Sequence, residues 1–267
     1  MHKFKYHAPL TIKKSLEIYK KADSPKFIAG GMTLLAAMKQ KMSSPSDLID
    51  LHLISGLKKI EMRSDHLLIG GMNTHNEIAK SKLVASSLPG LSFLAENIAD
   101  NAVRNRGTLA GSICNADPSA DYPAALLSLN AKIVTNERSI SAKDFFVDMF
   151  ETNLKENEIV TAVEFPFADL TRYYKIKSLA SKYAIIGIFV ALKNHLVKFS
   201  VIGASNSVFL IKELNDIDVT ALRKVNVYDI MLDDYFINGD LHASADYKIS
   251  LIQTTLKKAI NFVIKNE

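Results

Sequence analysis

The placement of the glycines constrains the fold of this chain more than any other feature. Six of the 11 glycines fall in three short segments, Gly30-Gly31, Gly70-Gly71 and Gly107 with Gly111. The first two segments follow short apolar stretches and precede residues with helical spacing, which predicts strand–turn–helix corners. Glycine lets the backbone turn tightly, and the amide N–H groups at such a corner point outward, where they bind phosphate. A tight turn without a ligand is the alternative for each segment taken alone.

Motifs of several other enzyme classes are absent from the sequence. Neither GxGxxG nor GxxxxGK[ST] occurs, which argues against a Rossmann dehydrogenase and a P-loop NTPase. HExxH and GxSxG are absent as well. The seven histidines show no ligand spacing, and we expect His75, beside the second glycine segment, to be structural. The single cysteine, Cys114, cannot form an intrachain disulfide or a four-cysteine iron–sulfur site, so any redox metal must lie on another chain.

Composition and charge argue against two further roles. The formal net charge is +5 and the lysines are spread along the chain, without the basic stripe and interleaved aromatics of a nucleic-acid-binding protein. The longest apolar run, Ala184–Leu192, is about the length of a strand and much shorter than the roughly 20 residues of a membrane helix. The N-terminus has no apolar core of signal-peptide length. We therefore expect no membrane span, no nucleic-acid partner and a cytoplasmic location.

The apolar pattern predicts a mixture of helices and strands. Thr33 is a good N-cap for the helix predicted at residues 34–41. Gly187 is expected to weaken the strand predicted at residues 184–193. Residues 166–171 mark a boundary before three consecutive strands. The predicted helices cover residues 9–21, 34–41, 75–81, 89–101, 122–130, 218–223 and 247–265. The predicted strands cover residues 26–29, 47–51, 59–62, 66–69, 108–113, 131–135, 159–165, 173–178, 184–193 and 196–204.

The central stretch carries a specific resemblance. Asn97–Ala131 reads NIADNAVRNRGTLAGSICNADPSADYPAALLSLNA and resembles the pattern QIRNxGTIGGNIxxAxPxxDxxPxLLxLxA. This is the flavin-binding segment of the medium subunits of the xanthine dehydrogenase, carbon monoxide dehydrogenase and aldehyde oxidoreductase family. FIAGGMTLL at 27–35 and IGGMNTHNEIA at 69–79 resemble two further segments of that family. EIVTAVEFP at 158–166 resembles a third. The resemblance spans about residues 1–205.

The resemblance implies an α+β fold in three parts. Residues 1–55 and 56–167 would form the two lobes of an FAD-binding domain of the PCMH (vanillyl-alcohol-oxidase-like) type. Residues 168–267 would form a C-terminal domain with a three-stranded antiparallel sheet and helices. The FAD would lie between the two lobes and the C-terminal domain.

The resemblance also implies which residues bind FAD. Two segments would hold the diphosphate from opposite sides. Asp121 would contact the ribityl chain or nearby flavin atoms, and Lys175 would reach the flavin from the C-terminal domain, where a cation would stabilise the anionic reduced form. Tyr183 would lie beside the isoalloxazine. The expected set is Ala29, Gly30, Gly31, Met32, Thr33 and Leu34 on one side of the diphosphate, Thr108, Leu109, Ala110, Gly111 and Ser112 on the other, Ile98 and Val160 in the adenine and ring pockets, and Asp121, Lys175 and Tyr183 at the flavin.

The sequence departs from the family pattern at two of these positions. Ala110 and Ser112 stand where the pattern has glycine and asparagine. If the backbone at residue 110 has a positive φ, its methyl group crowds the diphosphate. A lower FAD affinity or a rearranged loop would follow from such a contact.

The family resemblance implies an oxidoreductase subunit that works with other chains. A molybdopterin-binding large subunit would oxidise the substrate, and a small subunit with [2Fe-2S] clusters would pass electrons to FAD on this chain. The flavin would pass them to an external acceptor. A free-standing FAD-dependent oxidoreductase on the same fold is the alternative, and it would need a proton donor over the flavin. A ligand-free interaction module is a third reading. No metal ligand or catalytic acid is assigned to this chain.

Overall fold

The computed structural model describes residues 1–232 and 234–267 and begins with a small parallel sheet. The sheet has the order β1-β3-β2, with helices in both connections. Its elements are β1 (Lys5–His7), α1 (Ile12–Tyr19), β2 (Pro25–Ile28), α2 (Leu34–Lys39) and β3 (Asp47–Asp50). The first glycine segment therefore lies in the connection between β2 and α2.

A larger antiparallel sheet follows, with six of its seven helices inserted between the second and third of its strands along the chain and the last one after the fourth strand. The strand order is β4-β5-β10-β6-β7, and β8 pairs separately with β9. The strands are β4 (Ile60–Met62), β5 (His66–Gly70), β6 (Lys132–Thr135), β7 (Ser139–Ser141), β8 (Phe146–Asp148), β9 (Glu151–Thr152) and β10 (Val160–Pro166). The helices are α3 (His75–Lys80), α4 (Lys82–Ser87), α5 (Pro89–Glu96), α6 (Asn101–Arg104), α7 (Leu109–Asn115), α8 (Tyr122–Ser128) and α9 (Ala142–Phe145).

The third part of the chain is an antiparallel sheet covered on both faces. It has three long strands and two very short ones that both pair with the third long strand, and a long C-terminal helix packs against the sheet. The elements are β11 (Leu170–Lys177), β12 (Ala184–Lys193), β13 (Leu196–Ile202), β14 (Phe209–Leu210), β15 (Ile217–Asp218) and α10 (Ala245–Asn266). Short 3-10 helices lie at Lys212–Leu214, Val219–Lys224 and Val227–Asp229.

The alternation of side chains along β12 explains its continuous apolar sequence. Phe189 and Ala191 face the main core, which includes residues of α8. Ile188 and Val190 face the opposite core, against α10. A strand that is buried on both faces is apolar at every position rather than at every second one. The C-terminal sheet is thereby packed directly against the helices of the preceding part.

The structure differs from the predicted elements in several places. The helix predicted at 9–21 begins only at Ile12, because the Thr11 hydroxyl caps it, and Leu10 stays exposed. The helix predicted at 89–101 ends at Glu96. β1 and α4 were not predicted. Among the described residues, no helix combines the length and the apolar character needed to cross a lipid bilayer.

Candidate functional site

The first glycine segment, Ala29–Leu34, presents a row of free amide groups. Gly31 has a φ of +74°, which turns the chain from β2 into α2. The first hydrogen bond of this helix joins the N–H of Leu35 to the carbonyl of Gly31. No residue that the structure describes accepts a hydrogen bond from the backbone N–H groups of residues 29–34. Consecutive N–H groups at the start of a helix bind an anion such as a diphosphate.

The second segment, Thr108–Ser112, uses its amide groups differently. The N–H of Leu109 donates to the carbonyl of Asn73 at 3.0 Å, and the N–H of Ala110 donates to the carbonyl of Gly71 at 2.8 Å. The N–H of Gly111 donates to the Thr108 hydroxyl at 3.1 Å, and the N–H of Ser112 donates to the Thr108 carbonyl at 3.0 Å. Four consecutive N–H groups are therefore satisfied within the protein.

The prediction of a strand at residues 108–113 is wrong, because these residues form the start of α7. Thr108 is the N-cap, and its hydroxyl accepts the hydrogen bond that starts the helix. Leu109 and Ile113, one helical turn apart, are both buried in the main core. The second segment is thus also a helix start.

The two segments lie in direct contact. A Cβ atom on Gly30 would lie 2.1 Å from the carbonyl oxygen of Arg106 and 2.8 Å from the Cα of Gly107. A Cβ atom on Gly111 would lie 3.5 Å from the Cβ of Ala29. Glycine at position 30 thus allows a backbone approach that no other residue permits. The pocket between the segments is lined by Ala29, Gly30, His52, Met72, Thr74, Asn105, Arg106 and Thr108.

The methyl group of Ala110 points away from this pocket. Ala110 lies inside α7 with a helical backbone, so the positive φ that we considered is not present. Its methyl group is buried against Gly71, where a Cβ atom would come within 2.9 Å of it. The expected crowding of the diphosphate therefore has no geometric basis in this structure.

His75 packs against Gly107, directly before the second segment. Its backbone N–H donates to the carbonyl of Gly107, and its Nδ1 lies 3.1 Å from the Tyr122 hydroxyl. A Cβ atom on Gly107 would lie 2.6 Å from Nε2 of this ring. Burial, with a smaller contribution from Arg104, lowers the pKa of His75 to about 4. The imidazole is therefore neutral near pH 7 and has the structural role that we expected.

Asp121 and Lys175 form a buried ion pair that joins the residue before α8 to β11. The Lys175 Nζ lies 2.8 Å from Asp121 Oδ1 and also donates to the carbonyl of Asn97 at 3.1 Å. The Tyr173 hydroxyl donates to the same Oδ1 at 2.5 Å. Burial raises the pKa of Asp121, and the hydrogen bonds from Lys175 and Tyr173 act against this shift. The structure thus brings together two predicted residues that are far apart in the sequence.

The remaining predicted residues have varied environments. Thr33 occupies the N-cap position of α2, but its side chain makes no capping hydrogen bond, contrary to our expectation. Met32 is exposed and Leu34 is partly buried. Val160 is buried in the main core, and Ile98 packs against that core. Tyr183 is half exposed; burial raises its pKa, and Asp117 and Asp121 add to the effect.

Three contributors to this site were not predicted. Tyr173 and the backbone carbonyl of Asn97 both contact the Asp121–Lys175 pair. A Cβ atom on Gly187 would lie 2.5 Å from the Tyr173 hydroxyl, so this glycine makes room for it. The only signal in the sequence was a glycine inside an apolar strand. No cluster of metal-ligating side chains is present among the described residues.

Comparison with known proteins gives a consistent picture over the whole chain. A family model described as the FAD binding domain in molybdopterin dehydrogenase matches residues 2–168. The nicotine 6-hydroxylase medium subunit of Paenarthrobacter nicotinovorans is 29% identical, with 96% of this chain and 95% of the relative covered. The carbon monoxide dehydrogenase medium chain of Hydrogenophaga pseudoflava is 30% identical, with 97% of this chain and 96% of the relative covered.

Solved structures show the same likeness. A structure of carbon monoxide dehydrogenase from Hydrogenophaga pseudoflava that lacks the Mo-pyranopterin moiety of its cofactor matches with a TM-score of 0.86 at 27% identity. The match covers 99% of this chain and 98% of that one. Quinoline 2-oxidoreductase from Pseudomonas putida 86 matches with a TM-score of 0.86 at 25% identity, covering 98% and 99% of the two chains.

Proposed function

The chain belongs to the family of FAD-binding domains found in molybdopterin dehydrogenases, and we propose on this premise that it carries electrons from a partner subunit to an external acceptor. It is an FAD-binding oxidoreductase chain of the molybdenum hydroxylase family. In the proposal, a partner chain delivers electrons from [2Fe-2S] clusters to FAD, and the flavin passes them to an external acceptor. A molybdopterin-binding large subunit oxidises the substrate. The single cysteine of this chain supports the placement of the clusters on another chain.

The free N–H groups of residues 29–34 are the observation that carries the proposal. In our assignment they bind the FAD diphosphate, with the Thr33 hydroxyl as a further donor. The second segment closes the pocket from the opposite side through its contact with Gly30 and Ala29. Backbone N–H groups can neutralise a diphosphate without a metal ion, because their dipoles and that of the helix point at the anion.

The flavin end of the cofactor would lie near the Asp121–Lys175 pair. Tyr122, the residue after Asp121, contacts His75, and the His75 ring lies against Gly107 at the edge of the second segment. Lys175 would present a buried positive charge to the flavin, Asp121 would orient that charge, and Tyr183 would cover the ring from the C-terminal part of the chain. Ile98 and Val160 would contribute apolar surface to the adenine and ring pockets. Bound FAD would supply the redox chemistry itself.

The chain divides at the sheet boundaries in this proposal. Residues 1–55 and 56–167 form the two lobes of the FAD-binding domain, and residues 168–267 form the C-terminal domain. The C-terminal domain closes the site, because it provides Lys175 and Tyr183. The hydrogen bond from Lys175 to the Asn97 carbonyl joins it to the second lobe.

The proposal is tested by a bulky substitution between the two segments. Gly111 faces Ala29, so Gly111→Trp is expected to abolish FAD binding and the flavin absorbance near ~450 nm. Gly56→Trp is the control: its φ of +92° makes any side chain there cost stability, but a Cβ atom on Gly56 would meet nothing within 4 Å, so this variant should keep the flavin absorbance. In the assembled complex containing Gly111→Trp, substrate is expected to reduce the [2Fe-2S] clusters while reduction of the acceptor stops. Acceptor reduction at the wild-type rate would refute the electron-transfer role.

A further inference from the structure

Gly187 creates a space in the C-terminal sheet that a tyrosine hydroxyl fills. It stands opposite Lys175 in the pairing of β12 with β11. A Cβ atom at position 187 would lie 2.5 Å from the Tyr173 hydroxyl and 2.8 Å from the side chain of Ile202. Such a contact is impossible without displacement, so only glycine at position 187 leaves Tyr173 in its observed place.

Tyr173 and Lys175 point to the same face of β11, because they are two residues apart on one strand. The Tyr173 ring is 1% exposed and packs near Phe189, with ring centroids 6.3 Å apart. Its hydroxyl donates to Asp121 Oδ1 at 2.5 Å. Lys175 Nζ lies 2.8 Å from that same oxygen and 3.0 Å from Oδ2. One carboxylate therefore binds a hydroxyl and an ammonium group together.

The hydroxyl of Tyr173 serves as a permanent donor in this cluster. Burial, the negative charge of Asp121 and the hydrogen bond to it all raise the pKa of Tyr173 well above its ordinary value. A hydrogen bond donated to a carboxylate withdraws part of its negative charge. Asp121 therefore holds Lys175 in position. Because its negative charge is shared with the Tyr173 hydroxyl, it neutralises the positive charge of Lys175 less than it would if lysine were its only partner.

We propose that Tyr173, admitted by Gly187, is a positioning residue that sets the positive charge of Lys175 toward the bound flavin. The proposal rests on the proposed function, because it assumes that FAD lies beside Lys175. Removal of the hydroxyl would draw the ammonium group toward Asp121 and weaken the attraction for the electron-rich reduced cofactor. Oxidised FAD carries less negative charge and would be affected less.

The test uses Tyr173→Phe in the assembled complex, since this variant keeps the buried ring and removes only the hydroxyl. We expect the affinity for reduced FAD, relative to that for oxidised FAD, to fall about tenfold. For a two-electron couple this corresponds to a midpoint potential about 30 mV lower. Gly187→Ala is expected to shift the potential in the same direction, because its methyl group must displace the tyrosine hydroxyl.

A double-mutant cycle separates positioning from packing. In a Lys175→Met background, Tyr173→Phe is expected to leave the flavin potential unchanged, whereas an effect of packing alone would persist there. The inference is overturned if Tyr173→Phe does not lower the potential in the wild-type background, or if it lowers it equally without Lys175. A wild-type chain that binds no FAD would instead refute the proposed function itself, so the two failures are distinguishable.

Discussion

The two glycine segments, Ala29–Leu34 and Thr108–Ser112, both lie at a helix start but differ in what their backbone groups do. The helices are short, and Gly30 packs against the backbone of Arg106 and Gly107, directly before the second segment. In the first, Ala29–Leu34, the N–H groups find no acceptor in the described part of the chain. In the second, N–H groups donate to Thr108, Asn73 and Gly71.

This difference separates a ligand-binding segment from a supporting one. The first segment keeps free donors that only an external anion or water can satisfy. The second is held rigidly by the protein and keeps the first in position. A glycine-rich turn alone does not reveal which of these two roles it has, because the partners of its N–H groups come from distant parts of the chain.

Gly30→Ala should have the largest effect, because it breaks the contact between the segments. Its methyl group would overlap the backbone of Arg106, so we expect a loss of stability on the order of 3 kcal/mol and a fall in FAD affinity of at least about 100-fold. Chemical denaturation and FAD titration measure the two effects. Gly56→Ala, where a φ of +92° strains the alanine but the surroundings are open, should lose stability and leave FAD affinity unchanged. Normal FAD binding by Gly30→Ala would refute the contact.

Acidification should weaken the second segment through His75. The histidine of the unfolded chain takes up a proton below pH 6.5, whereas the folded chain keeps it neutral until about pH 4. Protons therefore favour the unfolded chain in this window, and stability that is complete above pH 6.5 should fall by on the order of 3 kcal/mol by pH 4. His75→Asn should remove this part of the pH dependence, as measured by urea denaturation of both proteins. An identical pH profile for the two would contradict the role of His75.

A pair of threonine substitutions compares the two segments directly. Thr108→Val should cost about 1 kcal/mol of stability, because the Thr108 hydroxyl caps α7. Thr33→Val should change the stability of the FAD-free chain by less than about 0.5 kcal/mol, because the Thr33 side chain makes no capping bond. It should, however, weaken FAD binding about tenfold. If the two effects are reversed, the roles assigned to the segments are wrong.

Ala110→Gly should have the smallest effect and should not improve binding. The alanine methyl group packs against Gly71 within α7, so its loss should cost about 1 kcal/mol. FAD affinity should stay within about twofold of the wild-type value, because the methyl group does not face the pocket. Ala95→Gly in α5 provides a matched loss of a buried helical methyl group. A tighter-binding Ala110→Gly variant would show that the methyl group crowds the diphosphate.

The sequence predicted the elements with strong local signals and missed those that depend on distant contacts. The three long strands of the C-terminal sheet and the helix at 122–128 were predicted because their apolar patterns are long. α7 was predicted as a strand, whereas its first N–H groups donate to Asn73 and Gly71, which are more than 30 residues away in the chain. Local propensity cannot include such partners.

The site was predictable as a set of positions but not as a network. Asp121 and Lys175 were both identified through the family resemblance, yet their ion pair depends on the packing of β11 against the preceding helices. Gly187 was interpreted as a weak point of a strand, whereas it accommodates the Tyr173 hydroxyl. A side-chain contact between two strands cannot be inferred from the residue spacing within one strand.

The central claim is that the N–H groups of residues 29–34 bind the FAD diphosphate, and amide hydrogen exchange measured by NMR tests it most directly. In the FAD-free chain, the amides of Leu109–Ser112 should already be protected and those of Ala29–Leu34 should exchange rapidly. Saturation with FAD should protect the amides of Ala29–Leu34 and leave those of Leu109–Ser112 nearly unchanged. If the amides of residues 29–34 are protected before FAD is added, or still exchange rapidly at saturation, the claim is contradicted.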